Sequence, residues 1–299
     1  MRSVLSIGNF DGLHLGHRKL LGILVELSVR KDLRSVVISY DNHPSQVLNP
    51  RIMPLVLTPG QAKRQAILEF GIDQVELLHF DSKLAATSAE SFLDNYLMPA
   101  FSPGVIVVGY DSHFGKNRRG DFAFLQLNQD RYGYELVYVE PFLHEDRVVS
   151  SSLIRELLLM GDVSEANQLL GKPYTLYGSV VSGAGLGTGL GFPTANLALG
   201  DPLQLVPKTG LYLSRVNLDE GSFFGLTNIG TSPTMKQSAK VEIETYIIDC
   251  DRMLYGRNLS IDLLRFLREE RLFESREALI EAMNEDLAVA MSFSDKDLF

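Results

Sequence analysis

His14 and His17 are the residues whose type and spacing most directly suit chemistry in this sequence. They lie in Gly8-Asn9-Phe10-Asp11-Gly12-Leu13-His14-Leu15-Gly16-His17, after a short apolar run from Val4 to Ile7. Leu20, Leu21, Ile23, Leu24 and Leu27 follow at helical spacing, so the pattern predicts a first strand turning into a first helix. Two imidazoles three residues apart on a helical turn face the same way. Glycines let the backbone approach a phosphate closely, and a helix start offers free N–H groups and a positive dipole end. Such a pair suits stabilisation of a phosphoryl transition state. A histidine-capped glycine turn is the plainer reading. The combined spacing of Asp11, His14, Gly16 and His17 argues against it.

Three further segments of the first half follow strand-like runs. Tyr40-Asp41-Asn42-His43-Pro44 is either a structural turn or a ligand contact. Gly109 to Asp121 places Lys116, Arg118 and Arg119 between glycines, which suggests a mobile basic loop able to clamp polyphosphate, or else a solvated surface loop. Ser150-Ser151-Ser152-Leu153-Ile154-Arg155 puts hydroxyls at a helix start, where they cap the helix or hold a phosphate, with Arg155 one turn on.

All six histidines (His14, His17, His43, His79, His113 and His144) lie in the first half, so acid–base chemistry in the second half falls most naturally to a carboxylate. That half carries glycine at every second position from Gly183 to Gly191, followed by Phe192-Pro193-Thr194-Ala195-Asn196. By composition alone the glycine run is a flexible loop. Thr194 and Asn196 add hard oxygen ligands two residues apart, enough for a Mg²⁺ that keeps waters and binds nucleotide phosphates. Alternation puts Glu242, Glu244 and Tyr246 on one face of a strand, and spacing does not choose between the two carboxylates.

The elements that must position these residues follow two grammars. Strand candidates at 3–8, 35–40, 74–79, 105–109 and 135–140 alternate with helices at 17–31, 59–70, 88–98 and 121–130. That pattern implies a parallel sheet whose ligands bind at the carboxyl ends of its strands. Helices from Ser151 to Leu159 and near 163–170 precede Gly171-Lys172-Pro173, where the boundary is expected: 1–171 and 172–299. Period-two runs then follow at Tyr174 to Val181, Gly210 to Val216, Phe223 to Asn228, Val241 to Asp249 and Leu259 to Phe266. They read as an antiparallel barrel or sandwich, closed by a terminal helix with Ser275 as N-cap and a stripe of Leu279, Ile280, Met283 and Leu287 facing the barrel.

At 299 residues, 45% apolar and 22% charged, the chain has the composition of a soluble protein with one large or two ordinary cores. A net charge of −9 disfavours a nucleic-acid partner bound through a basic surface. The single Cys250 fits a reducing cytosol and reads as a buried structural thiol. No apolar run approaches membrane-spanning length, and no signal peptide is expected.

The first turn, with its His-x-Gly-His core, resembles the nucleotidyltransferase motif, and the Gly-Asn-Phe-Asp-Gly opening is similar more narrowly to the adenylyltransferase half of prokaryotic bifunctional riboflavin kinase/FAD synthetases. Gly191 to Asn196, Gly210-Leu211-Tyr212, Asn228 to Thr234, Glu244 with Leu254-Tyr255-Gly256, and Phe266-Leu267-Arg268 resemble the riboflavin kinase domain of that family, in order. The resemblance spans about residues 3 to 290.

The resemblance implies an α/β plus all-β chain: a Rossmann-like nucleotidyltransferase domain with a parallel sheet, then a six-stranded antiparallel riboflavin-kinase β-barrel with a terminal helix. It implies phosphorylation of riboflavin to FMN and adenylylation of FMN to FAD, each using ATP with Mg²⁺. His14, His17 and Arg155 would be catalytic in adenylyl transfer. Gly8, Phe10, Asp11, Gly16, Lys116, Arg118, Ser150, Ser151 and Ser152 would hold that ATP, and His43 and Asp111 the FMN. In the kinase half, Glu244 would activate the ribityl 5′-hydroxyl. Gly183, Gly187, Gly191, Pro193 and Tyr255 would bind ATP, and Thr194 and Asn196 the metal. The implied protein is a cytoplasmic monomer or weak homo-oligomer acting on small molecules, with no nucleic acid and no membrane.

The sequence departs from the family at Ser112, where an aromatic residue is common, and at Tyr40-Asp41-Asn42 in place of Phe-Asp-Pro. Tyr246 replaces a common His, and Thr188 stands where Arg is frequent. The alternative expectation is therefore an FMN adenylyltransferase whose impaired kinase half serves as a flavin-binding module.

Overall fold

The computed structural model describes residues 2–49, 51, 55–183, 192–232, 240–250, 252–271 and 273–293. Gly187, Thr188 and Gly191 lie outside the described residues. The chain divides into two compact units, Met1–Ser151 and Ser152–Phe299.

The first unit runs β1 (Ser3–Ile7), α1 (Leu15–Lys31), β2 (Arg34–Tyr40), α2 (Ser45–Leu48), α3 (Gly60–Glu69), β3 (Gln74–Leu78), α4 (Ser82–Ala86), α5 (Ala89–Phe92), a π-helical turn (Leu93–Leu97), α6 (Met98–Phe101), β4 (Pro103–Gly109), a 3₁₀ turn (Lys116–Arg118), α7 (Phe122–Tyr132), β5 (Glu135–Val139) and a hairpin of β6 (Leu143–His144) with β7 (Arg147–Val148). Its five-stranded sheet is parallel throughout, in the order β3-β2-β1-β4-β5. Strand alternation feeds two cores. Val4, Val37, Val105 and Val107 pack with Leu20, Leu21, Leu24 and Leu27 of α1 and Ile67 of α3. Leu5, Ile38, Ile106 and Val108 pack on the other face with Phe92, Leu93, Leu97 and Leu125. Burial on both faces is why these strands read as short apolar runs instead of alternating ones.

The second unit takes in α8 (Ser151–Met160) after its first residue, then α9 (Val163–Leu170), β8 (Tyr174–Val181), β9 (Thr194–Leu199), β10 (Gly210–Leu218), β11 (Gly221–Ser232), β12 (Lys240–Ile247), β13 (Asn258–Arg268) and α10 (Arg276–Ser292). The six strands close into an antiparallel barrel, β10-β11-β12-β9-β8-β13. The compact units divide after Ser151. The reason lies in α9, which buries Val163, Ala166, Leu169 and Leu170. Its Asn167 side chain donates to the Leu263 carbonyl of β13 (2.9 Å) and accepts the Tyr174 amide of β8 (2.7 Å), so this helix is fastened to the barrel.

Ser275 caps α10 by accepting the Ala278 amide at 3.1 Å. Leu287 and Ala290 of that helix join Leu211, Leu213, Leu226 and Leu264 of the barrel. Arg268 grips Asp286 through Nε to Oδ1 (3.0 Å) and Nη2 to Oδ2 (2.7 Å). Cys250 falls beyond the end of β12 and is half-buried, not the buried strand thiol that the sequence suggests.

Candidate active sites

In the first unit the glycine turn joins β1 to α1 at the carboxyl end of the sheet. The turn is held in an uncommon shape: Gly12 has φ +84°, but so do two buried bulky residues adopt left-handed backbone, Phe10 (φ +50°) and Leu13 (φ +51°). Such conformations cost on the order of 1–3 kcal/mol each and persist only where surroundings impose them. Here the surroundings are specific. The Gly8 amide donates to the Ile38 carbonyl (3.0 Å). The Asn9 carbonyl accepts from the Ser39 hydroxyl and from the Lys63 ammonium, both at 2.9 Å. The buried Asp11 carboxylate accepts the amides of Leu57 (3.0 Å) and Thr58 (2.9 Å). Asp11 therefore anchors the turn to the chain ahead of α3, and its carbonyl accepts the Ser151 hydroxyl of α8 at 2.9 Å.

His14 is the N-cap of α1, its Nδ1 accepting the His17 amide at 3.4 Å. The two rings stack, with centroids 3.7 Å apart and planes 20° from parallel. Phe10 closes the other side of His17 at 5.2 Å. A Cβ on Gly16 would come within 3.1 Å of the His14 ring, so the glycine leaves space for the stack. Burial first, then the charges of His14 and Lys63, hold the His17 imidazole well below its ordinary value. His17 Nδ1 is buried and has no hydrogen-bond partner among the described residues. A stacked, polarisable ring pair at a helix start, with free N–H groups beside it, is chemically suited to a phosphate.

The other predicted residues of this half are arranged as follows. The 3₁₀ turn carrying Lys116 and Arg118 is an organised hairpin, not the loose loop that the charges suggest. Phe114 and Gly120 exchange backbone bonds (3.0 and 2.9 Å), and the Lys116 amide donates to the Thr87 carbonyl at 2.7 Å. Lys116 and Arg118 are exposed. Arg118 bonds His113 Nδ1 at 3.1 Å. His43 accepts the Ser45 amide through Nδ1 (3.2 Å), a local turn contact. Asp111 is exposed, and its carbonyl contacts His113 Nδ1 at 2.7 Å. Ser112 accepts the Gly109 amide at 2.9 Å and lines an open cleft of about 490 Å³ with Tyr110, Phe122 and Tyr138. Ser150 precedes α8, Ser152 is exposed, and Arg155 is half-buried four residues past Ser151 in the same helix.

Two features escaped the sequence reading. Tyr40, Phe80, Phe92 and Phe114 line a cavity of about 160 Å³ whose rim carries Arg118. Tyr40 ends β2, Phe80 follows β3, Phe92 ends α5 and Phe114 lies in the loop after β4, so no single sequence pattern gathers them. The second is Lys63, which sits in a polar stretch of helix yet is buried.

In the second unit β9 and β12 pair with Asn196 opposite Glu244 and Thr194 opposite Tyr246, while Asn228 of β11 lies opposite Glu244 on its other side. Paired residues share a face, so Thr194, Asn196, Glu244, Tyr246 and Asn228 stand together. Thr245 and Ala195, on the opposite face, line the barrel interior. Burial, reinforced by the charge of Glu242, pushes the Glu244 carboxyl above the usual carboxylate range. Phe192 packs edge-on against Tyr246 at 5.2 Å. Gly183 abuts Asn196: a Cβ there would lie 2.1 Å from the Asn196 amide nitrogen. The exposed Tyr255 belongs to a turn whose Gly256 amide donates to Val180 of β8 at 2.8 Å, three residues before Gly183. Pro193 is exposed beside Thr194. Among the described residues no cluster of three or more His, Cys, Asp or Glu forms a metal cage, and no helix is long and apolar enough to cross a membrane.

Residues 1–153 match the FAD synthetase family, and residues 170–294 match the riboflavin kinase family. A bifunctional riboflavin kinase/FMN adenylyltransferase of Pseudomonas fluorescens is 36% identical over 291 residues, which is 97% of this chain and 93% of that protein. Its namesake from Listeria monocytogenes is 33% identical over 287 residues, or 96% and 90% of the two chains. A crystal structure from Streptococcus pneumoniae, named as a macrolide-efflux protein, aligns with a TM-score of 0.88 and 27% identity over 98% of this chain and 95% of its own.

Proposed function

This chain belongs to the bifunctional riboflavin kinase/FMN adenylyltransferase family, and on that premise we propose that its two activities run on two separate sets of residues, one around His14 and His17 and one around Glu244. The enzyme phosphorylates riboflavin to FMN with ATP, and transfers the adenylyl group of a second ATP to FMN, giving FAD and pyrophosphate. The observation that carries the assignment of the first set is the stacked His14/His17 pair at the start of α1. The phosphate of FMN attacks the α-phosphorus of ATP, so no enzyme nucleophile is needed, only alignment and charge neutralisation. His17 and His14 donate to the α-phosphate and the departing pyrophosphate. Gly8, Gly16 and the α1 amides cradle the chain of phosphates. Ser150 and Ser151, at the end of the first unit, act on its far end, with Lys116 and Arg118 as outer cations, and Arg155 is assigned to the same reaction by the family resemblance. The aromatic cavity of Tyr40, Phe80, Phe92 and Phe114 takes the apolar edge of the flavin ring, with Arg118 at its rim.

For the kinase, the pairing of Asn196 with Glu244 carries the assignment. Glu244, of raised proton affinity, accepts the proton of the ribityl 5′-hydroxyl as the hydroxyl oxygen attacks the γ-phosphorus of ATP and ADP leaves. The Thr194 hydroxyl and Asn196 amide oxygen, on one face and two residues apart, are hard donors that fit Mg²⁺ sharing its shell with water and phosphate oxygens. Bound there, Mg²⁺ supplies charge neutralisation of the phosphates. Gly183, Pro193 and Tyr255 flank the same face, and the family resemblance assigns Gly187 and Gly191 to the same ATP. Substrates of this kind suit a cytoplasmic enzyme.

The test is to incubate the chain with riboflavin and Mg-ATP and to separate the flavins over time. His17→Ala should suppress FAD formation, on the order of 10²-fold, and spare FMN formation. Glu244→Ala should block riboflavin phosphorylation and spare conversion of supplied FMN. Loss of both activities from either change in a folded chain sinks the two-site reading.

A further inference from the structure

Lys63 lies in the first turn of α3 within Gln61-Ala62-Lys63-Arg64, a run whose polarity suggests a solvated face. Only 4% of its surface is exposed. Burying an ammonium costs several kcal/mol unless charge and hydrogen bonds compensate, so a lysine held inside a fold needs a reason. Its Nζ donates to the Asn9 carbonyl at 2.9 Å, and that carbonyl also accepts the Ser39 hydroxyl at 2.9 Å. Both lone pairs of the oxygen are thereby used, and the peptide that leads into the strained Phe10 is fixed. Asp11 completes the lacing from the other direction, its carboxylate gripping the Leu57 and Thr58 amides just ahead of α3. The start of α3 is itself pressed on the chain after β2, since a Cβ on Gly60 would lie 2.7 Å from the Asp41 carbonyl oxygen.

We propose that Lys63 is a positioning residue for adenylyl transfer: through the Asn9 carbonyl its buried ammonium holds the glycine turn in the shape that presents His14 and His17 to the phosphates. The proposal rests on the reading above that these histidines serve that reaction. The titratable groups facing Lys63 are the carboxylates of Asp11 in the turn and Asp41 after β2, and the imidazole of His17 in α1; Asp41 is also bonded to His79 after β3 at 3.0 Å. Burial lowers the ammonium to about 8, while Asp11 and Asp41 act to keep its proton. Its charge is complete below that pH and is lost as the pH rises through it, and the grip on Asn9 weakens with it.

The experiment follows FAD formation from FMN and Mg-ATP by the full chain across neutral and alkaline pH, with riboflavin phosphorylation by the same chain as the internal control. Lys63→Met should lower kcat for FAD formation on the order of 10²-fold, as expected for a displaced reacting geometry, with little change in KM for ATP and none in the kinase rate. The wild-type rate should fall as the pH passes about 8. Lys63→Arg, which keeps its charge there, should retain activity at neutral pH and lose that alkaline decline. A wild-type kcat in Lys63→Met, or an unaltered alkaline decline in Lys63→Arg, overturns the proposal. The arginine variant alone decides if the methionine variant does not fold. An undiminished rate in His17→Ala would instead overturn the reading on which the proposal rests.

Discussion

Asn196 and Glu244 face one another directly across the β9–β12 ladder, with Asn228 continuing the row on β11. The carboxylate and amide groups expected to handle hydroxyl and metal are therefore set by strand register. A one-residue slip would carry Glu244 and Asn196 to the barrel interior. Thr245 and Ala195 already occupy that interior.

The first prediction concerns Gly183. A methyl group there would meet the Asn196 amide at 2.1 Å, and the amide, being the far end of a short side chain, would swing away without unfolding the strand. Gly183→Ala should reduce riboflavin phosphorylation by roughly tenfold or more, a cost typical of a misplaced ligand. FAD formation from FMN should stay at the wild-type rate. Steady-state assays of both reactions on one preparation check this.

A second prediction comes from the carboxylate pair. Burial, then Glu242, raises the Glu244 carboxyl, so the kinase rate should fall on acidification at a pH above that of an ordinary carboxylate. Glu242→Gln removes the like charge. The acid limb of kcat should then move to lower pH, with the plateau unchanged. A limb that stays in place would mean that Glu242 does not act on Glu244.

Acid stability gives a third. The folded state holds His17 well below 6.5, so below that pH the unfolded chain binds a proton that the folded chain does not. Stability should therefore decline as pH falls through about 6.5, by at most about 1.4 kcal/mol per pH unit from this one group. Urea unfolding followed by circular dichroism between neutral and mildly acid pH should show the decline, and His17→Gln should flatten it.

Much of this architecture was readable from the chain because hydrophobic periodicity encodes it. Apolar runs such as Val4 to Ile7 and Val105 to Val108 announce strands buried on both faces, and the period-two runs after Tyr174 announce the barrel. Strand β9 carries no strand signal: Thr194-Ala195-Asn196-Leu197 is too polar and too small, because its outward positions hold a threonine and an asparagine. The division after Ser151 keeps α9 with the barrel because Asn167 bonds β8 and β13, a partnership that no local pattern reveals. The histidine pair was visible from spacing alone. Lys63 and the Asp11 anchor were not, since each acts on residues 46 to 54 positions away.

Closure of the barrel has a consequence for how copies of this chain meet. Each barrel strand has a neighbour on both sides, so its sheet presents no open edge to which a foreign strand could be added. The parallel sheet ends instead at β3 and β5. Among the described residues, the open strand edges on which one molecule could template another, whether in orderly pairing or at the start of aggregation, lie on the unit that carries the histidines, along β3, β5 and the β6–β7 hairpin.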